Sequence, residues 1–494
     1  PGTQVALADI DNDNKVEIIA CASGGGVIAF ENDGTFKWKN PTAGCYAPSV
    51  ADLEGDGKPE IMVRQFVLEG ATGKTRWTGA KGCGAYSVAA DINDDGKPEI
   101  VCGRVVYTVD GKVLWEDATR GHGSVAIADL DGDGKPEIVT TVSSEHALYA
   151  HHADGKKMFG PVDINQGKAD LNDKCGGCGG GPPTIADFDG DGKPEIAAAA
   201  GYGYVIFEHD GKAKWFKATQ DKSSRATGSS VFDFEGDGKA EVVYGDELVL
   251  RIYQGTNGKV LFSHCNTSGT LQEYPLIVDV DNDDHAEIVV ANNNYAFKTC
   301  GDGSASKTGI KVFADAKNNW VRTRRIWNQH TYHVTNIDED GRVPKVEKQN
   351  WKNPVLNNFR QNVQPNGLFD APDLQGNAPT QPTCTTRIKA EVDVKNEGAA
   401  KVVAGVKVTL YIVDAGGDVA VQTKATQTNI YPKQSERITF DAPLPSGYSN
   451  KTIQLYVVVD DDGSTPGTIV GTINECKEGN NRVDVGSVQC KGIG

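Results

Sequence analysis

Asp9, Asp11, Asp13 and Glu17 stand at positions 1, 3, 5 and 9 of an acidic loop, Asp-x-Asp-x-Asp-Gly-x-x-Glu, that recurs six more times before residue 290. The other copies are Asp52, Glu54, Asp56 and Glu60; Asp91, Asn93, Asp95 and Glu99; Asp129, Asp131, Asp133 and Glu137; Asp187, Asp189, Asp191 and Glu195; Asp233, Glu235, Asp237 and Glu241; and Asp279, Asp281, Asp283 and Glu287. Oxygen ligands alternating along a short turn can converge on one point. They suit a hard divalent cation, and calcium tolerates such flexible geometry better than magnesium does. Position 6 is Gly57, Gly96, Gly134, Gly192 or Gly238 in five copies, where the chain must turn through left-handed dihedrals. Asn14 and Asp284 replace it in the first and last copies, and these residue types tolerate that conformation best. Position 7, mostly Lys, offers only its carbonyl. The alternative, seven acidic surface turns without metal, would leave closely packed like charges to repel one another. The expectation is therefore about seven calcium ions per chain, held most weakly by the first and seventh loops.

An EF-hand would carry its bidentate Glu at position 12 and continue into a helix. Position 12 here is Ala20, Val63, Cys102, Thr140, Ala198, Tyr244 or Val290, and β-rich runs such as Glu60-Ile-Met-Val precede it. Each loop thus joins two antiparallel strands. A hairpin glycine then recurs (Gly34, Gly73, Gly111, Gly155, Gly211, Gly258), followed four residues later by Trp38, Trp77, Trp115, Phe159, Trp215 or Phe262. Ala316 and Trp320 fill the same slots in the seventh repeat. Intervals between loops of 43, 39, 38, 58, 46 and 46 residues match one four-stranded propeller blade. The aromatics read as core residues packed between neighbouring blades. Seven blades closing into a disc would remove exposed sheet edges.

Loop, flanking strands and hairpin together resemble the FG-GAP or VCBS-type repeats of integrin-like calcium-binding propellers, over about residues 1–321. The resemblance implies side-chain ligands at positions 1, 3, 5 and 9 and a main-chain ligand at position 7.

The formal charge of −17 argues against nucleic acid and anionic membranes as partners. Seven divalent ions would bring it to about −3. No apolar run approaches the roughly 18 residues needed to span a bilayer. With no initiator Met and no signal peptide, a processed N-terminus is expected. Eleven Cys and calcium dependence point to an oxidising exterior, secreted or at the cell surface. Cys83 with Cys102, and Cys265 with Cys300, are candidate pairs. Cys175-Gly-Gly-Cys178, in the long interval between loops four and five, reads as a local disulfide or structural loop rather than a zinc site completed by His151 and His152.

Residues 322–383 change character. Trp327-Asn-Gln-His330-Thr-Tyr-His333 and Asn350-Trp351 through Phe359-Arg-Gln-Asn are too aromatic for a flexible linker and predict an ordered strap, with both His hydrogen-bonded rather than metal-bound. Pro365, Pro372, Pro379 and Pro382 mark a linker. From Cys384 to Gly494, alternating runs such as Arg387–Asn396 predict about seven short strands, the rhythm of an immunoglobulin-like sandwich. Val394-Lys-Asn396-Glu-Gly398, Val459-Asp-Asp-Asp462-Gly and Asn474-Glu-Cys476-Lys-Glu-Gly-Asn480-Asn481 resemble the bacterial cell-adhesion-related CARDB domain. Cys384, Cys476 and Cys490 offer one disulfide there.

The sequence thus predicts an all-β chain, a seven-bladed β-propeller followed by an immunoglobulin-like β-sandwich. No nucleophile elbow, zinc-binding helix or phosphate-cradling glycine loop appears. The function expected is binding or assembly, with other copies of the chain, a surface or matrix protein, or a polysaccharide as partner. A calcium-dependent polysaccharide lyase or hydrolase, or a lectin, is the alternative.

Overall fold

The computed structural model describes residues 4–491 apart from 169–178, 272, 284, 296–298, 300–307, 318, 339–340, 365–371, 399–401, 403, 431–433, 465–472 and 474–479. The chain is all-β, with short helical turns at Ser143–Glu145 and Asn350–Lys352. Up to residue 313 it forms seven consecutive antiparallel sheets, each strand pairing with the next in sequence. Six have four strands and the seventh, with Leu276–Val278, Glu287–Asn292 and Gly309–Phe313, has three. In the first sheet, Val5–Ala8 and Glu17–Cys21 flank the first acidic loop, and Val27–Phe30 and Phe36–Asn40 form the hairpin.

Second strands such as Glu60–Val63, Glu99–Cys102, Glu137–Val142 and Glu195–Ala199 are buried at every residue. They read as continuous apolar runs because both faces of the sheet pack against other sheets. Fourth strands such as Thr75–Thr78 lie largely at the surface. The apolar clusters lie mainly between consecutive sheets; Phe188, Ala197 and Ile206 of the fifth, for example, pack with Val231, Val242 and Tyr244 of the sixth.

The recurring glycine and aromatic belong to one contact. The Trp38 ring lies against Gly73 of the next hairpin, where an added Cβ would come within 2.3 Å of it, and its indole N–H donates to Gly70 O at 2.8 Å. Trp77 covers Gly111 and donates to Val109 O, Trp115 covers Gly155 and donates to Ala153 O, and Trp215 covers Gly258 and donates to Gly255 O. Phe159 covers Gly211 without the hydrogen bond. Each of the first five sheets thus clasps the one after it. Trp320 also packs between neighbouring sheets, as the sequence reading expects, but in the opposite direction, back onto Phe234 of the sixth acidic loop with 4.6 Å between ring centroids.

The described residues of the strap touch the first strand, or the residue just after it, in every sheet. Asn328 O accepts from Leu7 N–H (2.8 Å), Gln329 Oε1 from Val50 N–H (2.7 Å), and Gln349 Nε2 donates to Asp91 O (2.7 Å). Arg360 Nη1 donates to Val125 O (3.2 Å) and Pro183 O (2.5 Å). Phe359 exchanges both backbone hydrogen bonds with Ile185, Arg360 O accepts from Val231 N–H, and Asn362 Nδ2 donates to Ile277 O (2.9 Å). Arg360 is fully buried.

The C-terminal region holds two four-stranded antiparallel sheets around one apolar core. In one, Arg387–Asn396 pairs with Leu374–Asn377, Thr383–Cys384 and Ser435–Pro443. The other runs Val419–Ala425, Lys407–Ile412, Thr452–Val459, Arg482–Gln489. Leu374–Asn377 therefore takes residues of the expected linker into the sheet. Cys384–Cys490 ties the two sheets, and Cys83–Cys102 forms as the sequence suggested. Cys21–Cys45 also forms, a pair the sequence reading did not name. Cys265 is disulfide-bonded, but Cys300, like Cys175, Cys178 and Cys476, lies outside the described residues.

Candidate metal centres

Every acidic loop sits at the hairpin joining the first two strands of its sheet, and its backbone is shaped by its own carboxylates. The position-1 Asp accepts the amide of position 4 through one oxygen and that of position 6 through the other: Asp129 Oδ1 from Gly132 N–H (2.7 Å), Oδ2 from Gly134 N–H (2.9 Å). Asp9, Asp187 and Asp233 repeat the pattern. The position-5 carboxylate accepts the amide of position 7, as Asp133 does from Lys135. Position 6 is left-handed as expected, φ 83° at Gly134 and 66° at Asn14. Position 4 is left-handed too, at Asn12, Gly55, Asp94, Gly132, Gly190, Gly236 and Asn282. The sequence reading missed this, although only Gly, Asn and Asp occupy the slot. Asp284, position 6 of the last loop, lies outside the described residues.

The position-9 glutamates are anchored identically. One oxygen of Glu17, Glu60, Glu99, Glu137, Glu195, Glu241 and Glu287 accepts the amide at position 2 of its own loop, at 2.7–3.2 Å. That fixes the other oxygen toward the loop. Glu17 Oε1 and Glu195 Oε1 are buried there without a hydrogen-bond donor. Ligand-capable oxygens of Asp187, Asp189, Asp191 and Glu195 lie within 4.8 Å of one another. The same holds for Asp9, Asp11 and Asp13, for Asp129, Asp131 and Asp133, and for Asp233, Glu235 and Glu241. Each such group is an oxygen-only, predominantly anionic donor set with unmet acceptor capacity, and it fits a calcium-like ion.

Burial, aided by neighbouring carboxylates, raises the pKa of Glu17, Glu60, Glu99, Glu137 and Glu287 to about 7 and that of Glu195 to about 8. Glu241 is raised by burial and by Glu235 beside it. Carboxylates kept this close and this buried are poised for a cation.

Three loops also meet a basic side chain from the fourth strand of their own sheet. Lys37 Nζ lies 2.6 Å from Asp11 Oδ2 and 3.0 Å from Glu31 Oε1. Lys214 Nζ lies 2.6 Å from Asp189 Oδ2, 2.9 Å from Glu208 Oε1 and 3.7 Å from Glu195 Oε1. Arg76 bridges Glu54 and Glu60. In the fourth loop His152 Nδ1 sits 2.9 Å from Glu137 Oε1. Sequence reasoning missed all of these; the available signal was a basic residue just before Trp38, Trp77 and Trp215.

The remaining histidines named by the sequence are engaged elsewhere. His151 meets Asp117 at 3.0 Å and stacks near Trp115. His333 binds Thr331 O and, at 2.5 Å, Glu347 Oε1. His330 stacks on Tyr86 with centroids 4.0 Å apart.

The model of the FG-GAP-like repeat matches residues 4–63, 129–198 and 187–244. No curated protein matches the chain. Among solved structures, the Vibrio cholerae biofilm matrix protein Bap1 shares 20% identity, covering 72% of this chain and 84% of its own, with a TM-score of 0.60. The CARDB domain of a Pyrococcus furiosus protein is 23% identical over 25% of this chain and 90% of its own, at a TM-score of 0.19. A Bacillus licheniformis rhamnogalacturonan lyase is 18% identical over 59% of this chain and 70% of its own, at 0.36. Scores this low give the last two no weight. The chain therefore carries FG-GAP-like repeats, in an all-β fold similar to that of a biofilm matrix protein.

Proposed function

We propose that the chain is an extracellular, calcium-stabilised structural protein that acts in adhesion or in assembly of a surface or extracellular polymer. Its repeats, about residues 1–321, form a seven-bladed propeller in which each acidic loop cages one calcium through positions 1, 3, 5 and 9. The strap is the hub of that disc, since strands touching one short peptide in all seven sheets are most simply arranged around it. The C-terminal sheets form an immunoglobulin-like sandwich whose edge strands pair with another copy or a matrix partner.

The observation carrying the metal reading is the seven-fold repetition of a buried Glu anchored by the position-2 amide. The structural role is supported by the fold shared with a matrix protein, by three described disulfides suited to an oxidising exterior, and by the strap's engagement with the first strand, or the residue just after it, of all seven sheets, where a propeller ligand would otherwise enter. Native imaging of the full chain with and without calcium tests it. Calcium-dependent ordered assembly, or attachment to a surface, is the expected result; a lone monomer that degrades polysaccharide would sink it.

A further inference from the structure

The seven cages are not electrostatically alike. Lys37, Arg76 and Lys214 occupy one slot, the residue before the clasping Trp38, Trp77 and Trp215. Successive side chains on a strand point to opposite faces. While the indole reaches forward to the next sheet, the preceding residue turns toward its own loop. The three side chains are largely sheltered, 10%, 29% and 15% exposed, and each ends on cage carboxylates. In the third, fourth and sixth sheets the slot holds Leu114, Met158 and Leu261, which bring no charge. Among the described residues the third loop meets a cation only at position 4, where Lys352 Nζ lies 2.8 Å from Asp94 and outside the expected ligand set, and the sixth meets only the exposed Lys239, 3.7 Å from Asp237.

We propose that Lys37, Arg76 and Lys214 are tethered counter-ions that divide the cages into two classes: loops one, two and five keep their shape when calcium is withdrawn and bind it weakly, whereas loops three and six depend on the ion and bind it tightly. The inference rests on the calcium reading. A fixed cation touching a cage carboxylate cancels part of the repulsion that would open the empty loop. The same charge opposes an incoming divalent ion, so occupancy of these cages rises only at higher calcium. At low calcium the two classes would coexist in one molecule, with some hairpins rigid and others loosened.

Peptide-resolved hydrogen exchange on the full-length protein across a calcium titration tests this. In chelator, peptides spanning 9–17, 52–60 and 187–195 should exchange about tenfold more slowly than those spanning 91–99 and 233–241, and should require about tenfold more calcium for full protection. Lys214→Met should speed exchange of 187–195 in chelator and shift its calcium midpoint about tenfold lower, leaving the other loops unchanged. Leu114→Lys at an exposed site should do the reverse at 91–99, which keeps the test valid if Lys214→Met fails to fold. Equal exchange of the two classes in chelator, or a calcium midpoint at 187–195 that Lys214→Met leaves in place, would overturn the inference while the calcium reading stands. Calcium-independent exchange at all seven loops would overturn both.

Discussion

The acidic-loop sheets and the C-terminal sheets solve the same problem, holding antiparallel β-structure together, with opposite materials. In the sandwich, Arg387–Asn396 alternates between exposed and buried residues, and one apolar core with one disulfide joins two layers. In the repeats, the apolar clusters are divided among successive sheets, and a glutamate enters the buried strand of each. Within each sheet a carboxylate-shaped loop holds the first hairpin, and between sheets cohesion comes from indole clasps and the strap. A sandwich can rely on burying one continuous surface. A chain of repeats must join each unit to its neighbours, and here much of that joining is polar.

The largest break in this comparison should come from chelation. Seven ions bound only by the folded state, each at about tenfold below ambient calcium, contribute on the order of 10 kcal/mol. Calorimetry should show the repeat transition falling well below its calcium-loaded temperature while the sandwich transition stays in place; two transitions that move together would erase the distinction. Titration sharpens it. The cage glutamates have folded-state pKa values raised to about 7–8, so their contribution without metal is present below about pH 4.5 and lost as pH rises through 7–8. Stability of the chelated repeats should therefore fall between pH 5 and 8. With calcium the slope should reverse, because the metal needs deprotonated ligands. In the sandwich, Arg437 holds the Asp393 carboxyl below its usual range, a contribution present at neutral pH and lost on acidification.

Next in size, Arg360→Met removes the buried donor to the carbonyls of Val125 and Pro183 and leaves His330 O with only the Tyr274 hydroxyl. It should cost the repeats about 3–5 kcal/mol in denaturant unfolding and leave the sandwich unaffected. Replacing Cys384 and Cys490 by Ser opens a loop of sequence separation 106 and should lower sandwich stability by about 3–4 kcal/mol, with the repeats unchanged. Smallest is Trp77→Phe, which keeps an aromatic over Gly111 but strands Val109 O, at about 1–2 kcal/mol. A loss confined to the repeats would separate the indole hydrogen bond from mere ring packing.

The acidic loops were legible because a turn shaped by its own carboxylates demands fixed residue types at fixed spacing, so Asp129 to Glu137 declare themselves without any knowledge of the fold. The strand order followed from the same repeats. What the aromatics clasp was not legible, since Trp38 and Gly73 lie 35 positions apart and either alone reads as ordinary core or turn. Arg360 was invisible for a deeper reason: irregular backbone carries no period, and its partners are long-range carbonyls that any sequence supplies. Leu374–Asn377 went unread because four residues among prolines show no alternation. Trp320 matched its repeat's spacing yet sits in a bend and packs backward, which spacing alone does not reveal.

The strap has a consequence in time. Asn328 bonds Leu7, and Arg360 reaches back to Val125, so peptide made late in synthesis supplies partners to strands made hundreds of residues earlier. During translation each new hairpin can be clasped at once by the sheet before it, because that contact spans only one repeat. The inner strands must wait, their polar groups open, until the residues near 360 have left the ribosome. Assembly of the repeats therefore waits on synthesis of the strap, and such non-local contacts fold slowly. A ribosome stalled before residue 328 should release clasped sheets that still lack their common peptide and are ready to take up a foreign strand.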